Sequence, residues 1–533
     1  MTTLLFNGLV HSPSHPDATA MAVRDGVVAW LGSDAVGRAQ FPDAATVDLD
    51  GAFVAPAFVD SHVHVTATGL GITGLDLTAA TSLEHLLRLL AAHVAAHPGH
   101  PVWGHGWDDT NWARGDVRQP PSTADLDAVV GGIPVYLARV DVHSAAASSA
   151  LRGRVTGLSA AAGFDPQRPL SAAAHHLVRA EARGLLTVAQ RANARRAALD
   201  AAAAAGIVAV HECAGPDIGG AQDWQELRDT THGVEVVGYW GEAVSTAAQA
   251  RALLAETGAR GLAGDLFVDG ALGSGTAWLS HPYADAPDCT GIRPLDDAAI
   301  DDHLAACTEA GVTAGFHVIG DAAVTAVVDA LERTVARFGA PAVARCGHRL
   351  EHLEMVSAQQ AAQLGAWGIT ASMQPIFDAL WGGPDGMYAR RLGADRAAGL
   401  NPLAQLASAG VPLAFGSDSP VTPMNPWEWV RAASQHRTPG SAISVRAAFA
   451  AATRGAWRAG GVRDGVSGTL APGAPASYAL WDTGELDVSA PADSVARWST
   501  DPRSRVPALP RLDPGDPLPR CLQTVHRGVV IHG

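Results

Sequence analysis

The chain has 533 residues, 47% hydrophobic and 17% charged, so it is globular and too long for one ordinary core unless a barrel carries insertions. Its formal net charge of −16 argues against a nucleic-acid partner, which needs a basic face. All 37 basic residues are arginine, so every mechanism that needs a lysine amine is excluded.

Cysteine usage and hydropathy predict where the protein works. Its five cysteines are scattered and form no C-x-x-C pair, and no run of about 18 apolar residues occurs, so we expect neither a disulfide framework nor a membrane span. The apolar N-terminus lacks a basic flank and is typical of a strand rather than a signal peptide. We expect a cytoplasmic protein with a small-molecule partner and no membrane contact; a homo-oligomer stays open.

Both ends of the chain show short predicted strands joined by tight turns. Ala20–Leu31 consists of two apolar stretches around an Asp-Gly pair, which is a strong hairpin signal. Ser477–Trp481 is a predicted strand, and Thr524–Ile531 predicts two more. We predict that residues 1–57 and 466–533 join as one small β-sandwich domain.

The apolar run Ala52–Val59 leads into two histidines, His62 and His64. Residues two apart on a strand point to the same face. A pair of imidazoles on one side of a strand end can hold one metal ion.

The centre of the chain alternates predicted strands with alanine-rich predicted helices. The predicted strands are Ile133–Arg139, Ile207–His211, Val234–Trp240, Leu266–Asp269, Thr313–His317, Ile369–Met373 and Pro412–Gly416. The predicted helices are Thr187–Ala205, Asp296–Ala310, Asp321–Phe338, Ser357–Trp367 and Ser444–Ala459. Repeated βα units predict an α/β fold with a parallel sheet. We predict a (β/α)8 TIM-like barrel over residues 58–465, with an insertion at about 66–200 because that stretch exceeds one βα unit.

Several predicted strands end in a residue that can bind a metal. These candidate ligands are His62, His64, His317, His352 and Asp418. Imidazole and carboxylate suit zinc and, less selectively, manganese, iron or cobalt. Histidines in predicted helices or loops are interpreted as surface residues: His97, His100, His175, His176, His281 and His436.

The segment Pro56-Ala57-Phe58-Val59-Asp60-Ser61-His62-Val63-His64 resembles the opening motif of the amidohydrolase superfamily. Further segments, in the matching order and over nearly the whole chain, resemble amidohydrolase family 3, which includes N-substituted formamide deformylases. They are Gly106-Trp107-Asp108, Val268–Ser274, His317–Ala323, Arg349-Leu350-Glu351-His352, Met373-Gln374-Pro375, Gly416–Val421 and Gly468–Gly473.

The resemblance implies a metal-dependent hydrolase with a role for each candidate. His62 and His64 are its strand-1 ligands, His317 its strand-5 ligand and His352 its strand-6 ligand. Asp418 touches the metal and acts as general base and acid. Metal-bound hydroxide then attacks an amide, N-acyl or N-formyl C–N bond. The physical reasons are that a metal lowers the pKa of bound water toward about 7, and that a departing amine needs a proton.

Many superfamily members bridge two metals with a carboxylated lysine on strand 4, which this chain cannot do. We interpret Gly264–Gly270 as strand 4, and Asp265 falls where that lysine is expected. Asp265 is either a bridging or single-metal ligand, or only a hydrogen-bond partner beside one metal; Asp269 is a weaker candidate. The predicted cofactor is one or two divalent ions, zinc first.

The predicted substrate-binding residues are Trp103, Trp107, Trp112, His143, Arg139, Glu212 and Asp269. Tryptophans near one barrel mouth form an apolar pocket, although any single one more often packs in a core. Arg139 or Arg349 pairs with a substrate carboxylate or, more commonly, with an acidic neighbour. A lone histidine such as His143 or His211 is more often structural, and Cys213 is interpreted as a small buried thiol.

Two other functions stay open. One is a deaminase on the same scaffold, in which hydroxide attacks a nucleobase-like or aminoimidazole ring and ammonia leaves, with Glu212 or Glu351 at the barrel mouth. The other is a barrel that binds a small ligand without turnover.

Overall fold

The structure is a computed structural model that describes residues 2–112, 120–487 and 506–533. Its largest sheet has eight parallel strands, which lie side by side in the order in which they occur along the chain. Barrel strands 1 to 8 are Phe58–Val63, Ile207–Ala214, Glu235–Trp240, Gly261–Leu262, Thr313–Val318, Arg349–His352, Thr370–Met373 and Leu413–Phe415. The predicted (β/α)8 barrel is confirmed.

The barrel closes where strand 8 meets strand 1. The Asp418 amide donates to the His62 carbonyl at 2.8 Å. The His64 amide donates to the Ser419 carbonyl at 2.9 Å. This close approach of the two strands requires a glycine, because a Cβ on Gly416 would lie 2.5 Å from the backbone nitrogen of His62. Closure therefore places the residues after strand 8 directly beside the histidines that end strand 1.

Strand 4 ends earlier than predicted. Its paired residues are Gly261–Leu262, whereas the sequence predicted a strand over Leu266–Asp269. Gly264 has φ +80°, and beyond it Phe267 forms an isolated bridge with His317. The prediction of a strand was wrong because this apolar segment is buried without regular pairing. Residues 265–269 consequently lie at the carboxyl rim of the barrel.

The helices predicted in the centre are confirmed with small shifts. They are Val188–Ala204, Asp297–Ala310, Asp321–Phe338, Ala358–Trp367, and Val445–Ala450 continued by the π-helical turn Ala451–Gly455 and by Ala456–Ala459. Shorter helices fill the other connections: Val65–Thr73, Gly220–Arg228, Ala247–Thr257, Ala340–Cys346, Pro375–Trp381, Met387–Leu392, Ala394–Ala397, Leu403–Ser408 and Pro426–Ser434. None of the helices in the described ranges is long and apolar enough to span a bilayer.

Between strands 1 and 2 the chain forms a second, five-stranded sheet, called the insertion sheet below. Its strands are Leu75–Asp76, Val102–Trp107, Val135–Arg139, Ser144–Ala147 and Leu170–Ser171. The strand predicted at Ile133–Arg139 exists but belongs to this sheet, since an apolar run does not show which sheet it joins. The α-helices that accompany it in the described part of the insertion are Leu83–Ala96, Thr123–Val130, Ser149–Arg152 and Ala172–Gly184.

The two ends of the chain share a sheet. Phe53–Pro56 pairs antiparallel with Tyr478–Asp482, in a five-stranded sheet that also contains Leu9–Val10, Arg520–His526 and Val529–His532. A four-stranded sheet of Thr2–Phe6, Ala20–Arg24, Val27–Gly32 and Ala45–Asp48 packs against it through a common apolar core, and the short helix Asp34–Gln40 adjoins it. Two remaining short strands, Leu486–Asp487 and Leu509–Pro510, pair with each other. The small β domain built from both termini is confirmed, while the boundaries at 57/58 and 465/466 stay predictions.

Candidate metal centre

Four of the predicted ligands and Asp265 meet at the carboxyl rim of the barrel. His62 Nε2 lies 3.4 Å from an oxygen of Asp265 and 3.4 Å from one of Asp418. His64 Nε2 lies 3.1 Å and 3.4 Å from the same two carboxylates. The triads His62–His64–Asp265 and His62–His352–Asp418 could each hold an ion. Within each triad, the ligand atoms lie within 4.8 Å of one another. We call these five residues the ligand cluster; all are buried.

His317, at the end of strand 5, lies at the edge of the ligand cluster. Its ring centroid is 4.5 Å from that of His352, and its Nδ1 lies 3.5 Å from Asp269 Oδ1. Asp269 is fixed in turn, because its oxygens accept hydrogen bonds from three backbone amides at 2.7–3.0 Å. His317 therefore turns Nδ1 to Asp269 and leaves Nε2 for another partner.

The atoms that converge fit a divalent cation. His62 Nε2, Asp265 Oδ1 and His317 Nε2 are buried and have no hydrogen-bond partner within the described residues. Buried polar atoms are normally paired, because leaving them unpaired costs free energy. Imidazole nitrogens and carboxylate oxygens are the donors that zinc and similar ions take.

Partners behind the cluster fix the orientation of two imidazoles. His62 Nδ1 donates to Glu351 Oε2 at 2.9 Å, and Arg349 holds the same carboxylate. His352 Nδ1 donates to the side-chain oxygen of Gln374 at 2.8 Å. Such outer partners are typical of metal sites, where they set the tautomer of each ligating histidine. They leave Nε2 of both rings free for a cation.

The charges of the cluster also favour a cation. Burial by itself lowers the pKa of His64, but hydrogen bonds to Asp265 and Asp418 outweigh it and raise that pKa to about 9. Burial raises the pKa of Asp265, but the charges of His62 and His64 hold it well below its usual range. The pKa of Asp418 is also lowered. Burial raises it, but the charge of His62 and its neighbours outweighs that effect. Two ionised carboxylates in a buried site need positive charge beside them.

The backbone is strained at two cluster residues. His352 has φ +70° and Asp418 has φ +53°, in the left-handed region that non-glycine residues rarely adopt. Such conformations cost free energy and concentrate at functional sites. The surrounding structure therefore stabilises these unfavourable backbone conformations, and they place both side chains at the rim.

Comparison with known proteins identifies the family. A sequence model described as the amidohydrolase family matches residues 45–532. The chain belongs to this family. LONG AFTER FAR-RED 3 of Arabidopsis thaliana is 27% identical over 91% of this chain and 89% of its own length. The putative amidohydrolase YtcJ of Bacillus subtilis (strain 168) is 27% identical over 76% of this chain and 78% of its own.

A solved structure has the same fold. An uncharacterized metal-dependent hydrolase from Pyrococcus furiosus is 26% identical, with a TM-score of 0.68 over 91% of this chain and 99% of that chain. Together with the family match, this makes the chain a metal-dependent hydrolase that acts on C–N bonds of small molecules. The predicted family resemblance is confirmed.

Cavities of the amidohydrolase meet the cluster from two sides. An outer cavity of about 740 Å³ reaches Asp265, Asp269 and His143. A smaller inner recess adjoins it, lined by His64, Asp265, Trp103 and two arginines described below. On the other side, an apolar recess lies against His317, His352 and Asp418. Its walls include Phe377, Trp381 and Met387.

His143 faces all three of these spaces. Its ring centroid is 5.0 Å from that of His317. Burial, with the nearby His317, lowers the pKa of His143 to about 3, so its imidazole is neutral at pH 7. Of the predicted substrate-binding residues, His143, Asp269 and Trp103 thus lie against the cavities.

Other predicted substrate-binding residues are engaged elsewhere. Trp107 donates to the Leu137 carbonyl at 2.9 Å and packs with Trp112 in the apolar core of the insertion sheet. Glu212 is buried and accepts a hydrogen bond from the Val65 amide at 2.7 Å.

Two arginines considered for a substrate carboxylate are already paired. Arg139 reaches the apolar recess but contacts three carboxylates, those of Asp108, Asp109 and Asp141, at 2.7–3.2 Å. Arg349 is fully buried and contacts Glu351, so for both arginines the acidic-neighbour alternative holds. Neither has its charge free for a ligand.

Some residues near the site were missed or misplaced by the sequence interpretation. His175 and His436 are buried and His176 is half-buried, so their interpretation as surface residues was wrong. His97, His100 and His281 are exposed as expected. A signal was present in the sequence: His175, Arg179 and Arg183 stand at four-residue spacing, and residues so spaced share one face of a helix.

Proposed function

We propose that this amidohydrolase cleaves an amide C–N bond of an N-acyl or N-formyl compound. The supporting observation is the buried ligand cluster with unpaired donor atoms, open to a cavity on either side. The proposed metal ligands are His62, His64, Asp265, His317, His352 and Asp418. Zinc is the first candidate, because the set mixes imidazole with carboxylate.

Each residue has a definite task in this reaction. When bound, a divalent cation supplies water of lowered pKa and polarises the scissile carbonyl. Glu351 and Gln374 hold the His62 and His352 rings in position. Asp418, kept ionised by the neighbouring His62, takes a proton from the attacking water and passes it to the leaving nitrogen. Asp418 is the proposed catalytic base and acid because it also lines the apolar recess.

Asp265 takes the place of the carboxylated lysine in this proposal. Its two oxygens face different histidines, Oδ1 toward His62 and Oδ2 toward His64. A carboxylate in this position can bridge two ions or bind one. Metal analysis decides: one metal per chain at full activity, unchanged in Asp265→Ala, contradicts the bridge.

No geometric observation favours the deaminase. Glu351 is held by Arg349 and His62, and Glu212 by a backbone amide, so both carboxylates proposed for ring chemistry are occupied. Family membership favours turnover over a ligand-binding barrel. Cytoplasmic location and oligomeric state stay predictions.

The test is a screen of N-formyl, N-acetyl and N-aryl amides combined with metal analysis of the purified protein. We expect His62→Ala to lose metal, and Asp418→Asn to keep metal and lose about 10²- to 10⁴-fold in kcat/KM. The matched controls His100→Ala and Asp43→Asn change exposed residues and should behave as wild type. Full activity in a folded Asp418→Asn variant, or hydrolysis of no amide, contradicts the proposal.

A further inference from the structure

One helix of the insertion carries two buried arginines into the inner recess. The helix Ala172–Gly184 packs on the insertion sheet, and Arg179 and Arg183 lie one turn apart on one of its faces. Each residue is 8% exposed. Both line the recess that His64 and Asp265 also line.

Backbone carbonyls hold the two guanidinium groups in place. Arg179 Nη2 donates to the Asp217 carbonyl and Arg183 Nη1 to the Ile218 carbonyl, each at 2.5 Å. The Nε atoms of both arginines are buried and have no hydrogen-bond partner in the described part of the chain. The loop after strand 2 therefore fixes the position of both groups without satisfying them.

These two arginines differ from the other buried arginines, which are paired. Arg349 contacts Glu351, Arg139 contacts Asp141, and Arg195 contacts Asp223 and Glu226. Within the described residues, Arg179 and Arg183 form no ion pair with a carboxylate. Burying a charge without a partner is strongly unfavourable.

The acidic groups around the pair have other contacts. Asp217 is mostly exposed and turns its carboxylate toward His176, while Glu212 accepts from the Val65 amide. Asp265 belongs to the ligand cluster. Burial lowers the pKa of Arg179, and Tyr136, Asp265 and Asp217 offset only part of that effect. The pair thus presents excess positive charge to the recess.

The shape of the recess limits what it accepts. Trp103, Tyr136 and Phe267 form apolar walls. The free volume is about 30 Å³, enough for roughly two water-sized atoms. A guanidinium fork matches the two oxygens of a planar carboxylate. The recess opens to the outer cavity beside His143 and Asp265, so a group bound there remains attached to a larger molecule.

We propose that the substrate carries a carboxylate in addition to the scissile amide, and that Arg179 and Arg183 bind it in the inner recess. This inference rests on the proposed amide hydrolysis and names its substrate class, N-acylated or N-formylated amino acids. The amide lies at the ligand cluster, and the apolar recess, with a free volume of about 20 Å³, receives a small acyl group such as formyl or acetyl.

Matched substrates test the inference. N-acetyl and N-formyl derivatives of glycine, β-alanine and 4-aminobutyrate are compared with their neutral primary amides. We expect the wild type to favour the acids in kcat/KM, chiefly through KM. Arg179→Gln and Arg183→Gln should each lower kcat/KM for the acids by about 10- to 100-fold and leave the neutral amides within about twofold.

The control variant is Arg154→Gln. Arg154 is half exposed and pairs with Glu181 of the helix Ala172–Gly184, so the variant removes one positive charge nearby without touching the recess. It should match the wild type on both substrate series. Metal content and thermal unfolding of every variant show whether the fold is retained.

A binding measurement separates this inference from the proposed function. Glutarate and neutral glutaramide are titrated calorimetrically into the metal-loaded protein. We expect glutarate to bind and the double variant Arg179→Gln/Arg183→Gln to weaken it by at least about 10-fold, with glutaramide unaffected. If no amide is hydrolysed but this pattern is found, the carboxylate site stands and the proposed function fails.

Several outcomes overturn the inference while amide hydrolysis stands. Equal kcat/KM for acids and neutral amides in the wild type is one, and an acid preference that survives in the double variant is another. If a glutamine variant does not fold, Arg179→Lys and Arg183→Lys keep the charge without the planar fork. They should retain a weakened acid preference, and its complete absence in folded lysine variants contradicts the carboxylate site.

Discussion

Two groups of buried polar side chains flank the ligand cluster of the barrel. Behind it, Arg349 of strand 6 contacts Glu351, the Ser61 carbonyl and the Ser372 hydroxyl, and also donates to His211 Nδ1. In front of it, His62 Nε2, Asp265 Oδ1 and the arginines of the inner recess have atoms without partners.

The difference separates structure from function. Behind the cluster, Glu351 and the guanidinium of Arg349 are satisfied within the chain, so they hold the His62 imidazole at a fixed angle. Groups in front are positioned but left unsatisfied, which is what a site for a cation and a substrate requires. Removing a rear group should therefore affect stability and metal affinity together, and removing a front group should affect binding or turnover.

The largest effect on this comparison is expected from Glu351→Gln. The substitution leaves the Arg349 charge buried and weakens the hydrogen bond that orients His62. We expect the free energy of unfolding to fall by about 3–5 kcal/mol and metal affinity to fall about 10- to 100-fold. Chemical denaturation and a chelator competition measure the two effects.

The matched control is Glu181→Gln, which breaks the partly exposed pair with Arg154. It should change the free energy of unfolding by less than about 1 kcal/mol. A loss of stability no larger for Glu351→Gln than for this control would mean that the rear group does not support the cluster.

A smaller effect on the free energy of unfolding is expected when the pH is lowered, because of the buried residue His348. His348 is buried before strand 6, accepts from the Ala314 amide at 2.9 Å and bonds the Thr308 hydroxyl at 3.0 Å. Burial lowers its pKa from 6.5 to about 3. Because the pKa of His348 is lower in the folded than in the unfolded chain, its contribution to the free energy of unfolding is complete above pH 6.5 and is lost toward pH 3. Between these limits the free energy of unfolding falls by about 1.4 kcal/mol per pH unit.

Comparison of the wild type with His348→Gln isolates this slope, because other titrating groups contribute to both proteins. The difference in unfolding free energy, measured by denaturant titration at several pH values, should shrink as the pH falls below 6.5. A difference that stays constant down to about pH 4 contradicts a neutral buried His348.

The smallest effect is expected from Cys213→Ala. The Cys213 thiol is buried on the rear side of the cluster. Its sulfur and the ligand atoms of His62 and Glu351 lie within 4.8 Å of one another. As a packing group, its removal should cost about 1 kcal/mol and leave metal content unchanged. Cys307→Ala, at another buried cysteine, is the control. Metal loss confined to Cys213→Ala would make this thiol a ligand.

The histidine motif and the βα pattern were readable from the sequence. Spacing on a strand put His62 and His64 on one face, and strand ends supplied His317, His352 and Asp418. Such residues gather whenever parallel strands close into a barrel, because all their carboxyl ends lie at one rim.

Other features were not readable. The apolar run at Leu266–Asp269 has the composition of a strand but lies beyond the strand end, since a glycine at φ +80° redirects the chain. Trp107 and Trp112 carry no mark that distinguishes the core of an inserted sheet from the wall of a pocket. Burial depends on what packs on a residue from elsewhere in the chain.

The sequence by itself determined the kinds of donor atoms, their order along the chain and the exclusion of lysine chemistry, because local spacing and composition are properties of one strand or one residue. Only the tertiary structure decided which charges are neutralised. It paired Arg139 and Arg349 with carboxylates and left Arg179 and Arg183 facing the inner recess. Charge pairing acts through space over a few ångströms, and only the folded chain sets those distances.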